Sequence, residues 1–305
     1  MNYESAFLKL KHCLRASIED ERPSEKGWAL ISVLYIVAVL ALLAAATQAL
    51  LLTSAELDRR SWERTQADAI LDGAVTRAVV AITDRRLDWR WPVDATEQSF
   101  SYDNIPISVK VQDQLGLIDL NAADGSMIKR LIQAAGQSEN SANTLTDRIL
   151  DWRSGSGLNR LKVATDDDYA AAALSYRPRH GPFQSVEELR LVLGITSELF
   201  QKIEPAITVY SGHPAFEPAT APEMALKALY FDRPDEVTKA LAARTQNSAD
   251  SLGSRPGALS SAVSLAGRSF AVSASMKIGN RNYRRKTVVM LTEDPRRPFL
   301  TLAWY

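Results

Sequence analysis

The most pronounced pattern along the chain is a long apolar run near its start. Residues 27–55 contain no charged side chain, and the segment that begins at Trp28 and ends at Leu52 is almost wholly apolar. As a helix this segment extends about 37 Å, which is enough to cross a hydrocarbon core of about 30 Å. Basic residues precede it, namely Lys9, Lys11, Arg15, Arg22 and Lys26. The length and composition of the segment therefore predict a single membrane span. The basic residues before it predict a cytoplasmic N-terminus by the positive-inside rule.

The helical period continues beyond the apolar run. Leu71, Val75, Ala78, Val79 and Ile82 recur at three- and four-residue spacings. No proline follows the apolar run until Pro92. The pattern predicts one helix over residues 28–86, roughly 88 Å long, whose second half packs on a soluble domain. A secretory signal cleaved after the small residues near Thr47 is the alternative, but the continuing period favours the long helix.

Later segments alternate between apolar and polar residues, as strands do. Residues 100–111 and 270–278 alternate, Gly279 and Asn280 form a turn, and residues 287–291 and 299–304 predict two further strands. Residues 87–98 are predicted to form a loop, and the polar stretch 245–257 a linker. The segment between these strands is helical in character, and its residues 118–131 match residues 216–229 as an internal repeat.

These patterns predict an α+β protein. A long N-terminal helix (28–86) packs on a small antiparallel sheet formed by residues 87–116 and 246–305, and a helical domain (117–245) is inserted between the strands. The 305 residues include 36 basic and 36 acidic side chains, so no net charge draws the chain to nucleic acid. The single cysteine, Cys13, excludes an intrachain disulfide. None of the common catalytic motifs occurs, and we predict a protein that is not an enzyme.

The start of the apolar run resembles a known processing signal. The residues Glu25-Lys26-Gly27 followed by Trp28-Ala29-Leu30-Ile31 are similar to the class III signal of type IV pilins and type II secretion pseudopilins. The resemblance implies that a prepilin peptidase removes residues 1–27, cuts between Gly27 and Trp28, and methylates the new amine. Most members of this class carry glutamate at the fifth mature position, whereas this chain has Ser32.

Four further blocks resemble one branch of that class. They are VQDQLGLIDLNAA (111–123), DRILDWR (147–153), DDDY (166–169) and YRPRHGPFQSVEELRLVLGITSELFQKIEPAITVYS (176–211). Their sequence, order and spacing closely resemble the insert of general secretion pathway protein K, the family of K-type minor pseudopilins. The resemblance extends over essentially the whole chain from Gly27 onward.

The resemblance implies a structural function in type II secretion. Such a protein sits in the inner membrane with its C-terminal domain in the periplasm, and assembles with the I- and J-type minor pseudopilins to initiate or cap the pseudopilus that drives export of folded proteins. The major pseudopilin, the inner-membrane assembly platform and the prepilin peptidase are its other implied partners. Ser32 agrees with a tip position, because a carboxylate in lipid needs a neighbouring amine and a tip subunit has no subunit ahead of it.

The family also implies calcium in the inserted domain. Calcium prefers clustered carboxylate and carbonyl oxygens, and the candidates are Asp151, Asp166, Asp167 and Asp168. The family pattern DWxDxD followed by GAED is incomplete here, which leaves a solvated acidic loop as the alternative to a weakened calcium site.

A different function, DNA binding, is the main alternative. The GPFQSVEELRLVLGI block resembles helix-hairpin-helix modules, whose Gly-hydrophobic-Gly hairpin binds phosphate through backbone N–H groups. Here the hairpin is Gly194-Ile195-Thr196, without the second glycine, and acidic residues surround it. The alternative is thus a signal-anchored periplasmic helix-hairpin-helix protein that binds DNA or acts as an envelope scaffold. The sequence favours packing within the insert as the role of this hairpin.

Overall fold

The structure is a computed structural model, and it describes residues 25–84, 86, 89–154, 166–250 and 265–305. The chain divides into two compact units, the first ending at Thr65 and the second comprising Gln66–Tyr305. Helix α1 comprises Glu25–Thr83 and contributes to both units. Its continuity follows from a sequence without proline and from the apolar period that the second unit buries.

The second unit contains a five-stranded antiparallel sheet. In the order in which they lie side by side, its strands are β1 (Asp94–Tyr102), β2 (Ile105–Asp113), β5 (Ser269–Ile278), β6 (Arg281–Leu291) and β7 (Phe299–Trp304). One face of the sheet packs on the α1 side chains Leu71, Ala74, Ala78 and Ile82, which are almost fully buried. The apolar residues that alternate along the strands and those that recur every three or four positions along the helix therefore pack together in one core.

The insert between β2 and β5 has its own core. Its helices are α2 (Gly125–Ala134), α3 (Glu139–Arg153), α4 (Asp166–Ala171), α5 (Ser197–Ile203), α6 (Glu223–Leu229) and α7 (Pro234–Asp250). Short 3-10 turns comprise Gln114–Gly116, Val186–Leu191 and Glu204–Ala206. The two-residue strands β3 (Ile118–Asp119) and β4 (Ile207–Thr208) pair in parallel.

The internal repeat corresponds to a pair of packed helices. Helices α2 and α6 contact each other, and they begin at the equivalent positions Gly125 and Glu223. Ile128 and Leu226, which also match in the repeat, are both buried in the insert core. Each repeat therefore buries the apolar face of its helix against the other.

The α+β class with an antiparallel sheet is confirmed, but two local predictions are wrong. Residues 94–98 belong to β1, because Gln98 pairs with Val109 of the next strand, and are not part of a loop. Residues 245–250 continue α7 and are not linker. The polar composition there suggested a connection, but residues 245–250 contain no glycine or proline that would end the helix.

A buried ion pair lies where the chain leaves the sheet and returns to it. Asp113 ends β2 and is fully buried, and its carboxylate binds the guanidinium of Arg268, which immediately precedes β5. Arg268 also lies 2.9 Å from the carboxylate of Glu217 in the insert, whose backbone N–H donates to the Leu115 carbonyl. Burial raises the pKa of Asp113, and Arg268 opposes that rise. The pair therefore ties both connections of the insert to the end of the sheet.

We predict that Arg268→Ala lowers the free energy of unfolding by about 3–5 kcal/mol, because it leaves a buried carboxylate without its cation. Urea unfolding of the full chain in detergent, followed by tryptophan fluorescence, measures the change. The control is Arg296→Ala, an exposed cation in the β6–β7 turn, which should change stability by less than about 0.5 kcal/mol. Equal effects of the two substitutions would contradict a structural role for the ion pair.

Candidate assembly surfaces

The predicted processing junction lies at the start of α1. Gly27 and Trp28 are in the first turn of this helix, and the indole of Trp28 is 73% exposed. Residues 1–24, most of the predicted leader, lie outside the described part of the chain. Cleavage between Gly27 and Trp28 stays a prediction.

Ser32 forms its hydrogen bond within its own helix. Its hydroxyl donates to the backbone carbonyl of Trp28 at 2.7 Å. Inside a bilayer no water is available, so each polar group must be satisfied by the protein. The serine meets this requirement without a partner chain, whereas a carboxylate at the same position would need an external cation.

The apolar segment of α1 is long enough to span a membrane. Leu30–Gln48 forms 19 helical residues, a length of about 28 Å, and none of these side chains is buried within the protein. Within the described residues it is the single helix with this length and composition. It lies inside the predicted segment from Trp28 to Leu52 and fits a single-pass anchor.

A groove separates α1 from the β1–β2 hairpin within the second unit. It has a volume of about 500 Å³ and is lined by Gln66, Ala69, Ile70, Gly73, Ala74, Arg77, Phe100, Tyr102, Asp103 and Ile107. A Cβ atom added to Gly73 would meet no atom within 4 Å. Glycine inside a helix costs about 1 kcal/mol relative to alanine, so the fold of this chain gives no reason for it. The sequence signal for this position is a glycine within a helical pattern.

The groove has an aromatic wall that is partly open to solvent. Tyr102 is 61% exposed, and the guanidinium of Arg77 lies 4.2 Å from the ring centre of Phe100. Small side chains on the helix and aromatic side chains on the hairpin form a concave surface that is mostly apolar, with Gln66, Arg77 and Asp103 as its polar residues. Such a surface suits close approach by another chain.

The hairpin at Gly194 packs against α3. Gly194 has a φ of +94°, and the Nη1 atom of Arg148 donates to the Leu193 carbonyl at 2.8 Å. The backbone N–H of Leu193 donates to the phenol oxygen of Tyr169 at 3.1 Å. Thr196 then caps α5, because its hydroxyl accepts from the backbone N–H of Leu199. These contacts give the hairpin a packing role in the insert, to which Arg148 contributes from α3 although no local sequence pattern predicts its contact.

The predicted calcium ligands are only partly described. Asp151 is buried, and its Oδ2 atom lies 3.8 Å from Nδ1 of His180, while Asp168 is exposed. The side chains of Asp166 and Asp167 lie outside the described residues, as do residues 155–165. Among the described side chains, no three His, Cys, Asp or Glu residues are grouped to hold a metal ion. These donors alone do not fit calcium, so the prediction depends on the segment that is not described.

The sequence of this chain is similar to one family model and to several known proteins, which all carry the same name. Residues 110–212 match the family model described as "Type II secretion system (T2SS), protein K". The type II secretion system protein K of Pectobacterium carotovorum is 24% identical over 61% of this chain and 63% of its own length. The protein of the same name from Pseudomonas aeruginosa is 25% identical over 85% of this chain and 87% of its own length. The sequence resemblance is therefore confirmed.

The fold is also similar to that of a solved structure. The crystal structure of the GspK-GspI-GspJ complex from the enterotoxigenic Escherichia coli type 2 secretion system contains a chain that matches with a TM-score of 0.60. The match has 17% sequence identity and covers 81% of this chain and 98% of that chain. At this identity the comparison establishes the fold.

We predict that Gly194→Ala destabilises the protein by about 1–3 kcal/mol more than Gly136→Ala does. Both glycines have positive φ, +94° and +96°, so alanine introduces backbone strain at either position. Only at Gly194 would the new Cβ lie 2.9 Å from Arg148 Nη1 and Leu145 Cδ2. Thermal unfolding of the two variants measures the difference, and equal losses would contradict the close packing of the hairpin.

Proposed function

From the similarity of this chain to type II secretion system protein K in sequence and in fold, we propose that it is a K-type minor pseudopilin. It assembles with the I- and J-type minor pseudopilins at the tip of the pseudopilus, where it initiates or caps the fibre that exports folded proteins. The role is structural, and no catalytic residue is assigned to it.

Membrane anchoring precedes assembly in this proposal. The exposed apolar segment Leu30–Gln48 holds the protein in the inner membrane, with the N-terminus in the cytoplasm and the second unit in the periplasm. The peptidase then removes the leader at Gly27. The processed chain leaves the bilayer for the fibre by moving its apolar surface from lipid to the apolar surfaces of other subunits.

Ser32 carries the proposal of a tip position. In related pseudopilins the glutamate at this position pairs with the terminal amine of the subunit ahead. Here the Ser32 hydroxyl donates to the Trp28 carbonyl and needs no subunit ahead. Such a chain can therefore occupy the end of the fibre without leaving a polar side chain at this position unsatisfied.

The position of the insert supports the same role. Within the second unit, β2 leads into the insert at the sheet end where Asp113 donates its N–H to the Val93 carbonyl. At the opposite end, Asp103 in the β1–β2 turn lines the groove with Gln66, the first residue of this unit. The insert therefore occupies the end of the sheet away from the point where the chain enters the unit. In that position its bulk opposes addition of a further subunit.

We predict that Gly27→Leu abolishes processing, because a prepilin peptidase of this class requires the small residue before the cut. The parent chain, expressed with its own peptidase, should begin at Trp28 and be heavier by one methyl group. Intact mass and N-terminal sequencing measure both features, with Gly73→Ala as a control that is processed normally. Normal cutting of the Gly27 variant would contradict the assigned junction, and a chain that begins at Met1 or near Thr47 would favour a signal-anchored scaffold.

We predict that Gly73→Trp reduces copurification with the I- and J-type pseudopilins at least tenfold, because the indole fills the groove beside Tyr102. Gly73→Ala should copurify like the parent and should raise stability by about 1 kcal/mol, since its Cβ meets nothing. Affinity purification of the full chain from detergent extracts measures copurification, and circular dichroism shows that each variant is folded. Full copurification of a folded Gly73→Trp chain would exclude the groove from the assembly.

A further inference from the structure

The groove beside Gly73 runs along an open edge of the sheet. Strand β1 is an outermost strand, with β2 as its one neighbour in the sheet. Phe100 and Tyr102 of β1 line the groove together with residues of α1. The bulge of β1 lies between Asp94 and Glu97, so the pairing with β2 is regular from Glu97 to Tyr102. One wall of the groove is therefore a regular strand whose second side is open.

The β1–β2 turn determines which backbone groups of β1 point to that open side. Residues 103–104 form a two-residue turn with φ values of +48° and +59°, which makes Tyr102 and Ile105 a hydrogen-bonded pair. Hydrogen-bonded and non-bonded pairs alternate along an antiparallel ladder, so Ser101 and Pro106 are a non-bonded pair. Pro106 agrees with this assignment because it has no N–H to donate.

Two serines of β1 thus present their backbone to the open side. By the same alternation, the N–H and C=O groups of Ser99 and Ser101 point away from β2. Both residues are exposed, and neither N–H donates to a group outside the ladder within the described part of the chain. These groups are available to another chain.

A chain that fills the groove must also satisfy these two N–H groups. An N–H group that is shielded from water without an acceptor costs free energy, so an apolar surface alone is an unfavourable cover. A helix uses its carbonyl groups within itself, whereas a strand presents carbonyl groups along its side at the spacing of a sheet. The edge of β1 therefore favours an extended strand as the occupant of the groove.

The α1 wall has the length and the space for such a strand. The stretch of α1 that lines the groove, residues 66–77, extends about 16 Å, the length of about five residues in a strand. Ala69 is small, and Gly73 leaves open space beside the helix. Alternate side chains of an added strand would enter this space beside Phe100, and the others would lie on the face of Ser99. The strand that fits thus alternates between apolar and polar residues.

Two charges in the groove lack an ionic partner. The guanidinium of Arg77 lies over the ring of Phe100, and neither Arg77 nor Asp103 forms an ion pair within the described residues. A strand with an acidic and a basic residue would complement both. The β1 edge itself, residues 97–102, contains Glu97 and no basic residue, so the same edge of a second copy has no cation for Asp103. The charges therefore favour a different chain as the partner.

We propose that a partner subunit adds a strand to the open edge of β1 inside the groove and extends the sheet to six strands. The inference rests on the proposed function, because it takes the I- and J-type pseudopilins as the source of this strand. Backbone hydrogen bonds to Ser99 and Ser101 hold the strand, and an apolar side chain beside Gly73 fixes its register. The glycine thus keeps space for a side chain of the partner.

Amide hydrogen exchange tests the proposal at single residues. The full chain is compared in detergent alone and in complex with the I- and J-type pseudopilins, with exchange located by mass spectrometry and electron-transfer fragmentation. The complex should slow exchange at Ser99 and Ser101 at least about tenfold. Phe100, whose N–H points to β2, should exchange slowly in both states. Unchanged exchange at the two serines in the complex would overturn the proposal, and slow exchange in the chain alone would overturn it in favour of a second copy.

A pair of substitutions at one position isolates the backbone contact. Ser101→Pro removes an N–H that points away from β2, which an edge strand tolerates, whereas Ser101→Val loses the same hydroxyl and keeps the N–H. The proline variant should copurify with the I- and J-type pseudopilins about tenfold less than the valine variant. Circular dichroism shows that both variants are folded.

The outcomes separate this inference from the proposed function. Equal copurification of the two folded variants would overturn the added strand and leave the proposed function intact. A parent chain that does not copurify at all would contradict the proposed function and the inference together. If the proline variant does not fold, the exchange at Ser99 and Ser101 of the parent chain decides.

Discussion

The architecture of the second unit depends on one buried ion pair, that between Asp113 and Arg268. These residues mark the departure of the chain from the sheet and its return, and Glu217 adds a carboxylate from the insert. Neither charge is favourable alone in a buried position, so the two connections are stable only when they lie together. The same junction holds Gly116 against Thr220, where a Cβ would lie only 2.6 Å from the threonine hydroxyl. A large insert can thus leave a small sheet without separating its strands.

Much of the fold could be predicted because it is encoded by local patterns. The missing charges of the apolar segment predicted a membrane helix, and alternation predicted β5. The turn between Pro295 and Pro298 predicted the strand Phe299–Trp304 that follows it. Contacts between distant residues could not be predicted in this way. The parallel pairing of Ile118 with Ile207 and the ion pairs of Arg285 with Asp68 and Asp72 depend on tertiary structure, which no single segment records.

The candidate surfaces also differ in whether a local sequence pattern or a tertiary contact defines them. The sequence alone indicates Gly27, Trp28 and Ser32 as candidates, because each lies at a characteristic position relative to the start of the apolar run. The groove at Gly73 could not, because its other wall is a hairpin that begins more than twenty residues later in the chain. A glycine in a helix indicates by itself only a lower helix stability. The open space beside Gly73, which only the structure shows, suggests that another chain approaches the helix there.

The proposal of a tip position can be tested by locating this chain in assembled fibres. Fibres produced with the I- and J-type and major pseudopilins are sheared from cells, and gold-labelled antibodies against the insert are visualised by electron microscopy. The account predicts label at one end of each fibre and nowhere along its length. Label distributed along the fibre, or fibres without label, would contradict it.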